Sequence, residues 1–247
     1  MAQTAEVIEF LDELLSPNAY EDLGPNGLQV PGSAVVERVL TGVSAQRALA
    51  ERAVEAGAQL VLVHHGLFWS FEPVGLTPML AERLRPLFKH DVALAAYHLP
   101  LDAHPEHGNN ALLAGALGAS EHVAFAEIGR GATFAAPVPA AELFERVAAA
   151  TGRTPLVFDA GPPEVRRLAI VSGSAAGRLG RAHAEGYDAF LTGEPKEHVM
   201  AEARELGIHF IAAGHYATET FGVRRLGELL SARFGVEHVW ADLPNPV

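Results

Sequence analysis

The 247-residue sequence predicts an α/β protein made of two similar, intertwined α/β units, each a mostly parallel mixed sheet with helices. Three observations predict it. Short continuous apolar runs alternate with helix-length stretches, the pattern of parallel βαβ units whose strands are covered on both faces. The succession strand, helix, strand, helix, strand occurs twice, with matching order and lengths. Each copy then runs from its third apolar strand into a histidine followed four residues later by an acid.

The elements follow in order. Glu6 to Leu15 places Val7, Ile8, Leu11, Leu14 and Leu15 at helical spacing with acids between them, and Ser16-Pro17-Asn18 stops the helix. The turn-rich Gly24-Pro25-Asn26-Gly27 leads into the first copy. There Val39 to Val43 reads as a strand, Ala45 to Ala56 as a helix, and Gln59 to Val63 as a strand ending at His64-His65. Val92 to Ala96 is its third strand and runs into Tyr97-His98-Leu99-Pro100-Leu101-Asp102.

Between the copies, Thr133-Phe134-Ala135, a helix from Ala140 to Ala150 and Leu156-Val157-Phe158 complete a small α/β segment. In the second copy Leu168 to Val171 leads through Ser172-Gly173-Ser174 into a helix over Ala175 to Glu185. The strand Asp188 to Leu191 then ends at Thr192-Gly193-Glu194, and Ile208 to Ala212 runs into Gly214-His215-Tyr216-Ala217-Thr218-Glu219. A closing helix over 220–235 presents Leu226, Leu229, Leu230 and Phe234 at core spacing. The expected boundary falls at 125/126, giving units 1–125 and 126–247 packed as one body.

Composition narrows the chemistry. There is no cysteine, so thiolate metal sites, disulfides and cysteine nucleophiles are excluded, and histidine and carboxylate remain as the strong metal ligands. A net charge of -12, with no dense run among the 18 Lys and Arg, disfavours nucleic acid as a partner. No apolar run approaches the roughly 18 residues of a membrane span, and the acidic opening segment is unlike a secretion signal, so a cytoplasmic protein without a membrane partner is expected. The G-x-S-x-G, G-x-x-x-x-G-K-[ST] and G-x-G-x-x-G patterns are all missing.

The polar residues that interrupt this apolar pattern lie just after strands, at the carboxyl ends where parallel sheets bind ligands. His64 and His65 would point to opposite faces of a regular strand, so each is expected to ligate its own metal at the strand end. A two-metal centre about 3.5 to 4 Å across needs a bridging carboxylate and terminal ligands on each side, and Asp102 and Glu219 can bridge while the histidines terminate. An isolated His-His pair is more often a surface feature; the joint occurrence of the motifs favours the metal site.

The runs Val63-His64-His65-Gly66-Leu67-Phe68-Trp69, Tyr97 to Asp102 with Gly108-Asn109-Asn110, Leu191-Thr192-Gly193-Glu194 and Gly214 to Glu219, together with Asn26-Gly27-Leu28-Gln29-Val30, resemble the Nif-three-like family, also known as GTP cyclohydrolase 1 type 2 homologues. The resemblance covers nearly the whole chain. It implies a dinuclear divalent metal centre with His64 and Asp102 on one metal, His65 and His215 on the other, and Glu219 shared. It also implies a homo-oligomer, commonly a hexameric ring, of two intertwined α/β halves. Larger members carry an inserted domain for which this sequence is too short.

Two further positions are expected near the metals. His98 is placed in a loop beside the metals, because Pro100 disfavours a helix there, as a proton-transfer or ligand-supporting group. Glu194 stands where the first copy has its histidine pair and is expected to contact the substrate or a ligand. The expected function is metal-dependent hydrolysis of a nucleotide or similar small molecule, with Glu219 or His98 moving the proton. The alternatives are a metal-handling protein without turnover and, ranked last, a ring around single-stranded nucleic acid. Mixed nitrogen and oxygen ligation fits two ions of Zn, Fe, Mn, Co or Ni better than Ca.

Overall fold

A computed structural model describes residues 1–247. The chain forms two compact units. The first comprises Met1–Leu101 and Gly222–Leu243, the second Asp102–Phe221 and Pro244–Val247.

The first unit is built on a five-stranded sheet in the order Glu237–Trp240, Arg38–Ser44, Leu60–His65, Ala93–Ala96, Gly27–Val30. The first four strands run parallel and Gly27–Val30 is antiparallel at the edge. Continuous apolar strands are what a doubly covered parallel sheet requires, and Leu60 to Val63 are all buried. Helices Arg47–Glu55 and Pro78–Lys89 bring Leu49, Ala53, Leu84 and Leu87 into one cluster with Leu40, Val61, Val63 and Leu94. The opening helix, Thr4–Leu15, buries Val7, Leu11 and Leu15 and ends where Ser16 turns left-handed at φ 49°. Its Phe10 packs edge-on against Phe234 of the long helix Thr220–Phe234.

The second unit is a six-stranded sheet ordered Glu121–Phe125, Gly129–Pro139, Glu164–Val171, Ala189–Thr192, His209–Ala212, Leu156–Phe158. Its three parallel strands, the third to the fifth, carry the repeat, and antiparallel strands flank them. Alternate residues of Leu168 to Val171 enter two separate clusters, with Leu168 and Ile170 in one and Ala169 and Val171 in the other.

The two copies agree in register. Val63 pairs with Ala96 in the first unit, and Thr192 pairs with Ala212 in the second. His64 and His65 therefore occupy the rows that Gly193 and Glu194 occupy in the other copy. The helix expected over Ala175 to Glu185 is shorter, a 3-10 turn Ala176–Arg178 followed by Leu179–Ala184. Gly177 and Gly180 lower helix propensity there, and Gly173 is left-handed at φ +68°.

Candidate metal centre

In the first unit the strand Leu60–His65 continues through the histidine pair, because Ser44 still pairs with His65. A regular pleat would aim the two side chains apart. Here, at the strand end, their rings converge, with centroids 4.7 Å apart. His64 is wholly buried and its Nδ1 lies 3.0 Å from the carbonyl oxygen of Tyr97. A carbonyl only accepts, so Nδ1 carries the proton and Nε2 presents the lone pair. His65 places Nδ1 3.0 Å from the Ser44 hydroxyl.

His98 completes a trio. Its ring centroid lies 5.0 Å from that of His64 and 5.5 Å from that of His65, and the three imidazoles offer ligand nitrogens within 4.8 Å of one another. Asp22 holds it there. Nδ1 of His98 donates to Asp22 Oδ1 at 2.7 Å, while Asp22 Oδ2 accepts from Leu99 N–H and from the Asn26 amide, both at 3.0 Å. Asn26 in turn accepts from His98 N–H at 2.7 Å. Burial opposes ionisation of Asp22, but His98, Asn26 and the Leu99 N–H outweigh it and hold the carboxyl at about 2. Trp69 stands edge-on to His98 at 5.1 Å, with Phe71 stacked on it.

His98 does lie outside helices, as expected, but Pro100 does not prevent one. Leu99–Ala103 is a short helix with the proline in its first turn, where a missing N–H breaks no hydrogen bond.

The second unit carries the carboxylates. Asp102 is buried, and both Asn109 Nδ2, at 2.8 Å, and Ser172 Oγ, at 2.9 Å, donate to its Oδ1. Asn110 braces the same turn: it donates to the carbonyls of Asp102 and Ile128 and accepts from Ser172 N–H. Glu219, also buried, has a ligand oxygen within 4.8 Å of that of Asp102, and its Oε1 lies 3.2 Å from Nε2 of His215. His215 opens the one-turn helix His215–Thr218, and its Nδ1 is bonded to Glu194. Burial disfavours the charged imidazole, but Glu219 and then Glu194 outweigh it and raise His215 to about 9.

Gly173 permits this arrangement. A Cβ there would stand 2.5 Å from Glu219 Oε1 and 3.2 Å from His215 Nε2. The sequence reading singled out neither Asp22 nor Ser44 as a site residue and treated Ser172 and Gly173 only as a turn. The remaining histidines serve packing or the surface: His209, almost wholly buried, places Nε2 2.7 Å from the Pro162 carbonyl, and His238 pairs with Thr41.

The fold and these side chains define a class of α/β protein whose parallel strand ends carry a mixed imidazole and carboxylate donor set. The chain belongs to the Duf34/NIF3 (NGG1p interacting factor 3) family, whose profile matches residues 2–246. It is 46% identical over 246 residues to a GTP cyclohydrolase 1 type 2 homolog of Pseudomonas aeruginosa, covering 97% of each chain. A protein of the same name from Escherichia coli strain K12 is 42% identical, with 99% of each covered. Among solved structures, the protein ybgI, described as of unknown function, superposes with a TM-score of 0.95 at 41% identity, covering 100% of both chains. A crystal structure of a Thermus thermophilus protein superposes at 0.94 with 39% identity and the same coverage. No helix is long and apolar enough to cross a membrane.

Proposed function

We propose that the chain is a dinuclear divalent-metal-dependent hydrolase acting on a nucleotide or a similar small electrophile. The observation that carries the reading is the treatment of Nδ1 in four imidazoles. His64, His65, His98 and His215 each engage an oxygen through Nδ1, from Tyr97, Ser44, Asp22 and Glu194 respectively. Ligating histidines are oriented in just this way, with the far nitrogen hydrogen-bonded and Nε2 turned to the ion. The donor chemistry therefore fits Zn, Fe, Mn, Co or Ni.

In this reading His64 and Asp102 hold one ion, His65 and His215 the other, and Glu219 is shared. Bound ions supply Lewis acidity and acidify water. The chain's own residues do the rest. Asn109 and Ser172 fix the Asp102 carboxylate, and Glu194 orients the His215 ring through Nδ1. His98, backed by the Asp22 carboxylate, accepts or returns the proton at Nε2, with Glu219 as the alternative acceptor. The names carried by the relatives suggest a purine nucleotide as the first substrate to try. Assembly into a hexameric ring and a cytoplasmic location belong to the same reading, the former checked by light scattering.

The test is metal content and turnover together. Protein purified without chelator should carry about two ions per chain, lost in an Asp102→Ala, Glu219→Ala variant, and GTP or a related nucleotide should be hydrolysed only by the loaded protein. Full loading with no turnover across nucleotides would leave a metal-handling protein, and no metal after reconstitution would refute the reading.

A further inference from the structure

The first unit contains a donor set that the dinuclear assignment does not use as a set. Three imidazoles converge there, and each has its Nδ1 engaged by an oxygen of the same unit. In a tetrahedral site with metal-nitrogen bonds of about 2.0 to 2.1 Å, donor atoms stand about 3.4 Å apart. The three ligand nitrogens already lie within 4.8 Å of one another, at most about 1.4 Å wider than that spacing.

Asp22 matters most here. It sits 76 residues from His98 in sequence, is nearly inaccessible, and makes four hydrogen bonds: to the His98 ring, to Leu99 and Leu23 N–H, and to Asn26. An ionised carboxylate on Nδ1 commits that nitrogen as donor, leaves the Nε2 lone pair for a cation, and raises its basicity. It also supplies negative charge beside a site whose own ligands are neutral.

We infer that His64, His65 and His98 form a one-ion site within the first unit, selective for late first-row divalent cations, and that Asp22 is its positioning residue. The inference shares His64 and His65 with the proposed dinuclear centre but assigns His98 as a ligand and needs no carboxylate from the second unit. An all-imidazole set disfavours Mg and Ca, which demand oxygen, and ranks Mn below Co, Ni, Cu and Zn. His64 and His65 cannot serve both arrangements at once, so a cation held by the three imidazoles is an alternative to the mixed arrangement rather than an addition to it.

The test uses the full chain with Asp102, His215 and Glu219 all changed to Ala. The metal-free variant is titrated with Co2+, followed by visible absorption, and with Zn2+ in competition. One ion per chain should remain. Adding His98→Gln should weaken it at least about tenfold, and adding Asp22→Asn about 10- to 100-fold, the range for losing a ligand's hydrogen-bond partner. No retained ion, or affinity indifferent to His98→Gln, overturns the inference. Circular dichroism checks folding. If the triple variant does not fold, one equivalent of Zn2+ added to the metal-free unmutated protein decides: the 15N resonance of His98 Nε2 should move to the ligated position, and an unmoved resonance overturns the inference. Failure of the dinuclear reading is seen separately, as fewer than two ions per unmutated chain.

Discussion

Glu194 bonds Nδ1 of His215, whose Nε2 lies 3.2 Å from Glu219. One imidazole is thus gripped at both nitrogens by carboxylates, and both favour its charged form. A metal takes only the neutral ring, so loading must expel this proton. Adding Zn2+ to metal-free protein at pH 7.5 in weak buffer should release close to one proton that is attributable to His215. Glu194→Gln should reduce that release while weakening metal binding about 10- to 100-fold. Unchanged proton release in the variant would show that Glu194 does not set the state of His215.

The same pair fixes the sign of a pH effect on the metal-free protein. A histidine raised to about 9 binds its proton more tightly folded than unfolded. Its contribution to stability is therefore complete below its ordinary value near 6.5 and is lost as pH rises through about 9. The melting temperature of metal-free protein should fall between pH 6.5 and 9, and His215→Ala should flatten that slope. Asp22 has the opposite sign: held at about 2, it stabilises above its ordinary range near 4 and loses that contribution as pH falls towards 2.

Asn109 and Asn110 are neighbours with separable roles. Asn109 donates to the carboxylate of Asp102, whereas Asn110 serves main-chain groups of Asp102, Ile128 and Ser172. Asn110→Ala would leave buried polar groups unsatisfied, a loss of about 2 to 3 kcal/mol. Asn109→Ala should act first on metal affinity. Thermal melts of the metal-free variants beside metal titrations distinguish the two, and equal destabilisation with equal affinities would refute the division.

The legible part of this protein was the part encoded locally. Apolar strands such as Leu60 to Val63 and Ala189 to Leu191 announce themselves as continuous runs, and a histidine or acid just beyond such a run stands out because the core has no use for it. The parallel sheets of the repeat followed from the same runs. What was hidden depends on distant pairing or on backbone angle. Asp22 is an ordinary loop acid until His98 arrives beside it. The closeness of the His64 and His65 rings, at the last two residues of the strand, is a matter of side-chain rotation that the period-two pattern does not carry. Pro100 looked like a helix breaker because its place in the first turn of Leu99–Ala103 was not visible beforehand.

Gly173 offers a prediction that separates site from scaffold. Its φ of +68° is matched by Gly207, so an alanine at either position meets the same backbone strain, about 1 to 2 kcal/mol. Their surroundings differ. At Gly207 the nearest atom to an added Cβ is the Ala160 carbonyl oxygen at 4.0 Å, whereas at Gly173 the Cβ would press to 2.5 Å on Glu219 Oε1. Gly207→Ala should therefore lower the melting temperature and leave metal loading intact. Gly173→Ala should cost more stability, because Glu219 is buried and cannot swing into solvent, and should also displace the carboxylate proposed to be shared by both ions. Metal analysis and melting curves on the two variants decide the matter: normal loading in Gly173→Ala would mean that Glu219 as positioned here is not a ligand.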